Sequence, residues 1–121
     1  MSENTQLWNM SYLNEITGGS KEFIIEMIDV FLMQTPGYFE ELLGAVQSAD
    51  WKTAGDVAHK IKPTLAFMGA EQAREDMQTV ERNARNLENL DSLPSKVNAL
   101  HETCTLLFAQ LKEYREKLET E

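Results

Sequence analysis

His59 and Lys62, three residues apart in a chain of 121, are the pair best suited to carry out a reaction. They lie in Ala58-His59-Lys60-Ile61-Lys62-Pro63-Thr64-Leu65-Ala66-Phe67-Met68-Gly69, which reads as a helix. Ala54, Ala58, Ile61, Leu65 and Met68 recur at alternating steps of four and three and form its buried stripe. His59 falls one residue off that stripe, round toward solvent. Gly55, Lys62, Pro63 and Ala66 are its neighbours at helical spacing and share its face. All but the lysine are small or compact, so another macromolecule can approach the imidazole closely. Imidazole has an ordinary pKa of about 6.5, so a neutral, nucleophilic nitrogen is available near neutral pH. Such a nitrogen can attack phosphorus and hold a phosphoryl group covalently. Lys62, one turn away, would offset the charge on the phosphoryl oxygens.

Other chemistries find no support. The chain has no glycine-rich phosphate loop, no nucleophile elbow and no Cys/His metal spacing. The second histidine, His101, is more than forty residues from the first and has no Cys or acidic partner at ligand spacing, so it reads as a surface residue and no metal is expected. The acidic side chains are spread over helix surfaces rather than gathered at one inward site. A net charge of −9 argues against nucleic acid or an anionic membrane as partner. The single cysteine, Cys104, falls on an apolar stripe and fits a reducing compartment, so a cytoplasmic location is expected. No signal peptide is evident, and no run approaches the roughly 20 apolar residues that span a bilayer.

With these residues in view, the segment resembles the histidine phosphotransfer (HPt) domain of bacterial two-component phosphorelays. That family carries a histidine, a lysine at plus three, usually glycine at plus four, a small residue at plus seven and glycine at plus ten; His59, Lys62, Ala66 and Gly69 stand at the matching places. Ala58 matches the upstream alanine, and Val80-Glu81 looks like the family's apolar-Glu pair on the next helix. Pro63 departs from the pattern where glycine is usual; it is compact and on the open side of the helix, so it is expected to be tolerated. The resemblance implies a phosphohistidine at His59 and a relay between receiver-domain aspartates, without autonomous kinase activity. It implies response-regulator receiver domains or a hybrid sensor histidine kinase as partners. Any Mg²⁺ is then expected on the receiver, with no cofactor of the chain's own. The alternative is a helical adaptor that binds receivers without phosphorylation; a second is an unrelated four-helix interaction module.

The elements that must position His59 follow from apolar periodicity. Residues 1–6 are polar and expected to fray. Leu7, Trp8, Met10, Tyr12 and Leu13 suggest a short lid helix or turn, ended by Gly18-Gly19, with Ser20 capping the next helix. That helix is expected from Lys21 to Gln34, with Phe23, Ile24, Met27, Ile28, Phe31 and Leu32 inside, then a break or kink at Thr35-Pro36 and a restart to Ser48. Asp50 should cap the histidine helix, and Trp51 should pack into the core. Pro63 lacks the N–H that would bond the His59 carbonyl, so a kink or loosened turn is expected there, and Gly69 closes the helix. The following helix, 70–86, buries Ala73, Met77, Val80, Ala84 and Leu87, and brings Gln78 and Arg82 level with His59, where either could approach a phosphate. Leu93, Val97, Leu100, Cys104, Leu107, Leu111, Tyr114 and Leu118 form an unbroken seam on the last helix. Ile16, Phe67 and Met68, with the lid around Leu13, are a candidate docking patch. The expected fold is an all-α, antiparallel four-helix bundle with a short N-terminal lid helix, a single monomeric domain over residues 1–121. The initial Met1 and the charged finish Glu119-Thr120-Glu121 point toward a complete protein.

Overall fold

The computed structural model describes residues 6–121; the five residues before them, expected to fray, lie outside the described part. In chain order the helices are α1 (Ser11–Thr17), α2 (Lys21–Gln47), α3 (Trp51–Phe67), α4 (Glu71–Asn86) and α5 (Leu93–Thr120), with a 3-10 turn at Leu90–Ser92 before the last. The boundaries have local causes. Ser20 Oγ accepts from the Phe23 N–H at 3.3 Å, and Asp50 Oδ1 from the Thr53 N–H at 3.2 Å, so each satisfies a donor at a helix start. Gly18 ends α1 in the left-handed conformation.

Short turns fold α2, α3, α4 and α5 into an antiparallel bundle. α3 packs on α2 and α4, while α5 closes the ring against α2 and α4. Ala54, Ala58, Ile61, Leu65 and Met68 are buried, as their spacing predicts. So are Ala73, Met77, Val80 and Ala84 of α4, and Leu93 through Leu111 of the α5 seam; Tyr114 and Leu118 are half-buried. α2 and α5 have 27 and 28 residues against 17 and 16 in α3 and α4, so at about 1.5 Å per residue they run roughly 15 Å further. The N-terminal segment covers the step. Trp8 stacks on Tyr114 with ring centroids 4.5 Å apart, and the Asn9 N–H donates to the Met68 carbonyl at 3.0 Å. Gly69 lies beneath that strap with φ +65°, and a Cβ there would strike the Asn9 carbonyl. Gly69 thus both turns the chain and lets the N-terminal segment lie flat on the α3–α4 corner.

Three expectations about the helices need correction. α2 does not break at Thr35-Pro36; it runs unbroken from Lys21 to Gln47 with Pro36 inside. Thr35 is fully buried, not a cap, and its hydroxyl donates to Thr64 Oγ1 of α3 at 3.4 Å. A proline inside a helix costs roughly 3 kcal/mol, but Ile28, Phe31, Phe39 and Leu42 bury on both sides of it and hold the axis. Phe23, expected inside, is exposed in the first turn of α2, beyond the end of the α3–α4 hairpin. Leu87, expected on the α4 stripe, is exposed because the chain has already turned left-handed there, at φ 55°. α3 runs on through Pro63 to Phe67.

Candidate functional site

His59 projects from the middle of α3 with 64% of its side chain exposed, and its Nδ1 lies 3.1 Å from Glu81 Oε2 on α4. Glu81 itself is buried, at 7% exposure. A buried carboxylate needs partners, and this one faces three: the His59 ring, Lys62 and Arg85. Lys62 Nζ lies 2.7 Å from Glu81 Oε1, at an angle outside hydrogen-bond geometry, and donates a 2.6 Å hydrogen bond to Gln78 Oε1. Arg85 Nε donates to Glu81 Oε2 at 2.9 Å. Its Nη1 is 3.4 Å from Asp56 Oδ1, and Asp56 in turn holds Lys52 at 3.0 Å.

The electrostatics follow from this arrangement. Burial alone would raise the Glu81 carboxyl, but Lys62 and Arg85, with the His59 ring behind them, outweigh it and hold the group below the usual carboxylate range. Glu81 is therefore ionised near neutral pH and can only accept. The ring nitrogen facing it must carry the proton. In the neutral ring Nδ1 is then N–H, and Nε2 keeps its lone pair. That is the division of labour a nucleophilic imidazole needs, with one nitrogen anchored and the other free.

The sequence expectations divide against this geometry. His59 and Lys62 are brought together, though through Glu81 rather than side by side. Gln78 reaches the site as the partner of Lys62. Arg82 does not: it is exposed and, among the described residues, makes no ion pair or hydrogen bond. On α4 it stands about 100° round from Glu81, whereas Glu81 and Arg85 are one turn apart on the side facing α3. Gly55 does not open the face of His59 to an approaching partner. It is buried, and the space a side chain would take is filled by Arg85. Pro63 is exposed beside His59, and Ala66 and Phe67 are half-buried. These three line one edge of a groove of about 970 Å³ whose other walls include Leu7, Trp8 and Leu107.

Of the proposed docking patch, Leu13 and Met68 belong to the core. Ile16 is exposed, and Phe67 packs against Tyr12 at 5.6 Å between centroids. His101 is only half exposed and rests on the Phe39 ring at 5.4 Å. Cys104 is buried, and burial, with some help from Asp76, pushes its thiol up to about 12, so it stays protonated. Among the described residues no group of three or more His, Cys, Asp or Glu side chains is placed to hold a metal, and no helix is long and apolar enough to cross a membrane.

Sequence reasoning missed Glu81 and Arg85 as site residues. Glu81 was visible as half of the Val80-Glu81 pair. Arg85, one turn on, carried no signal except that a glycine stood inside α3 opposite it.

Comparison with known proteins bears on this arrangement. The chain is 24% identical over 111 residues to the phosphorelay intermediate protein rdeA of Dictyostelium discoideum; the match covers 92% of this chain and 43% of that protein, so the chain spans less than half the length of that relative. No solved structure matches the chain. The family model of the Hpt domain matches residues 26–120, which include the whole His59–Glu81–Arg85 cluster, and the chain belongs to the Hpt domain family.

Proposed function

We propose that this chain is a histidine phosphotransfer protein, relaying a phosphoryl group through His59 between receiver-domain aspartates in a phosphorelay. The observation that carries the reading is the pairing of an exposed imidazole with a buried, ionised carboxylate on its Nδ1, in a chain of the Hpt family. The Nε2 lone pair attacks phosphorus in line. The N–P bond forms as the P–O bond to the donor aspartate breaks, and that electron pair leaves with the aspartate. The ring gains positive charge in this step, and Glu81 lies against Nδ1–H to stabilise it, as the carboxylate does in a catalytic triad. Lys62, half-buried beside the same carboxylate, can turn its ammonium toward the equatorial oxygens. The reverse sequence passes the group to the next aspartate.

The chain supplies the nucleophile and its support, and its place in the Hpt family supports a carrier role. Receiver domains or a hybrid sensor histidine kinase are the proposed partners, and the Mg²⁺ that phosphoryl transfer uses would come with the receiver. The negative net charge disfavours nucleic acid as a partner. A monomer in the cytoplasm is the state that fits this role.

The test is label transfer from a panel of phosphorylated receiver domains to the wild type and to His59→Gln. Acid-labile, alkali-stable label on the wild type alone is the expected result. Receivers that bind without any label appearing would favour the adaptor alternative, and neither binding nor label would overturn the reading. His59 is exposed, so the variant should stay within about 0.5 kcal/mol of wild-type stability.

A further inference from the structure

Arg85 has no part in the transfer step as described, yet the structure makes room for it. A glycine in the middle of a helix is unfavourable, because it adds backbone freedom and packs nothing. Gly55 occupies such a place in α3 and is buried. A Cβ there would lie 2.9 Å from Arg85 Cγ, too close for the side chain to stay where it is, and 3.8 Å from the Ala84 Cβ. The missing side chain is thus a slot, and the Arg85 stem fills it. From that slot Nε reaches Glu81 Oε2, the same oxygen that faces His59 Nδ1, while Nη1 leans on Asp56 of α3. Lys62 takes the other oxygen. The two cations therefore do different things to one carboxylate: Lys62 draws Oε1, and Arg85 fixes Oε2.

We infer that Arg85 is a positioning residue for the His59 nucleophile, seated in the slot left by Gly55, where it pins Glu81 Oε2 against Nδ1 and keeps the unprotonated Nε2 facing solvent. Without that pin the carboxylate is free to swing toward Lys62, and the ring loses the acceptor that selects its tautomer. The inference rests on reading His59 as the phosphoacceptor, but the ring itself can be examined without any phosphate.

The experiment labels histidine with ¹⁵N and follows both imidazole nitrogens of His59 from about pH 5 to pH 9, bracketing the ordinary histidine titration, in the unphosphorylated protein. The charged groups around this ring are Asp56 and Lys62 on its own helix and Glu81 and Arg85 on α4, with Lys60 turned toward Glu41 of α2 at 3.9 Å. Variants at Arg85 and Gly55 perturb one arm of that set. His101, resting on Phe39, serves as the internal reference.

The neutral wild-type ring should show the Nδ1–H form. Arg85→Ala should raise the Nε2–H form and slow phosphoryl uptake on the order of ten-fold, and Arg85→Lys should recover part of both. Gly55→Ala, which keeps the arginine but fills its slot, should reproduce Arg85→Ala. The double variant should be no worse than Arg85→Ala alone, since a displaced side chain and an absent one are the same loss. An unchanged tautomer in both Arg85→Ala and Gly55→Ala overturns the inference. So does a Gly55→Ala defect that adds fully to Arg85→Ala, because Gly55 would then act on something other than Arg85. A wild type that takes no phosphate, while its ring still responds to Arg85, removes the relay reading and leaves the coupling of Arg85 to the ring standing.

Discussion

Arg115 and Arg85 each bridge two helices of this bundle through carboxylates. Arg115 of α5 donates from Nε and Nη2 to the two oxygens of Asp29 on α2, at 2.6 and 3.1 Å, and from Nη1 to Glu119 at 2.9 Å. Each Asp29 oxygen has one donor, and the two acceptor side chains are about half open to water. The hydrogen bond to Asp29 pushes the guanidinium even further up than usual, so Arg115 stays charged. Around Arg85 the balance is reversed. One buried carboxylate, Glu81, faces a guanidinium, an ammonium and an imidazole at once. The first cluster is a staple with every partner matched. In the second, one oxygen of the carboxylate is shared by the guanidinium and the imidazole, while the other meets the ammonium outside hydrogen-bond geometry. The two histidines show the same contrast. His101 rests on an aromatic ring, whereas His59 has one nitrogen tied to a carboxylate and the other free.

The sharpest way to break this comparison is to remove one carboxylate charge from each cluster. Glu81→Gln should slow phosphoryl uptake from a receiver on the order of 10- to 100-fold, while Asp29→Asn leaves it unchanged, both read as initial rates of label transfer. Equal losses would mean that the Glu81 cluster is no more than a second staple.

A smaller effect separates charge from contact on the face of His59. Lys62→Glu removes the ammonium and sets a second carboxylate against Glu81, so uptake should fall about ten-fold or more. Phe67→Ala, which trims a half-buried ring packed on Tyr12, should cost about two-fold, because it disturbs no charge. The opposite ranking would shift the weight of the site from Lys62 to the groove beside it.

The smallest effect is in stability against acid. Glu81 is held below the usual carboxylate range, so the folded state gives up that proton more readily than the unfolded chain. Its contribution is present above the unfolded value of about 4.5 and is lost as pH falls through the lower folded value. Urea midpoints measured near pH 6 and near pH 3 should therefore fall further for the wild type than for Glu81→Gln, a comparison that follows the sign of the linkage. Parallel curves would show that the carboxylate gains nothing from its cations in the folded protein.

Much of the fold was legible because helical periodicity is a local property. The stripe through Ala58 and Ile61, the seam from Leu93 to Leu111, and the caps at Ser20 and Asp50 all appear in the structure where their spacing and chemistry put them. Reading failed where tertiary packing overrode a local signal. Pro36 looks like a stop, but apolar contacts before and after it carry α2 through. Phe23 looks like core, but the α3–α4 hairpin that might have covered it is too short. At the site the shortfall was one of register. Counting back from the Gly69 turn suggested Gln78 and Arg82 opposite His59, where the structure places Glu81, with Arg85 one turn further along α4.

What the sequence alone determined is therefore the face His59 occupies on its helix, the lysine that accompanies it, and the number and polarity of the helices around it. These depend on 3.6-residue periodicity and on end chemistry, both of which act over a few residues. The tertiary structure decided which residues of α4 meet that face, and that Gly55 is a slot rather than an opening. Contacts between helices depend on the turn geometry and on how the two side-chain surfaces interlock, and a shift of one turn, about 5.4 Å, replaces one set of neighbours by the next. Spacing along either helix contains no record of that choice.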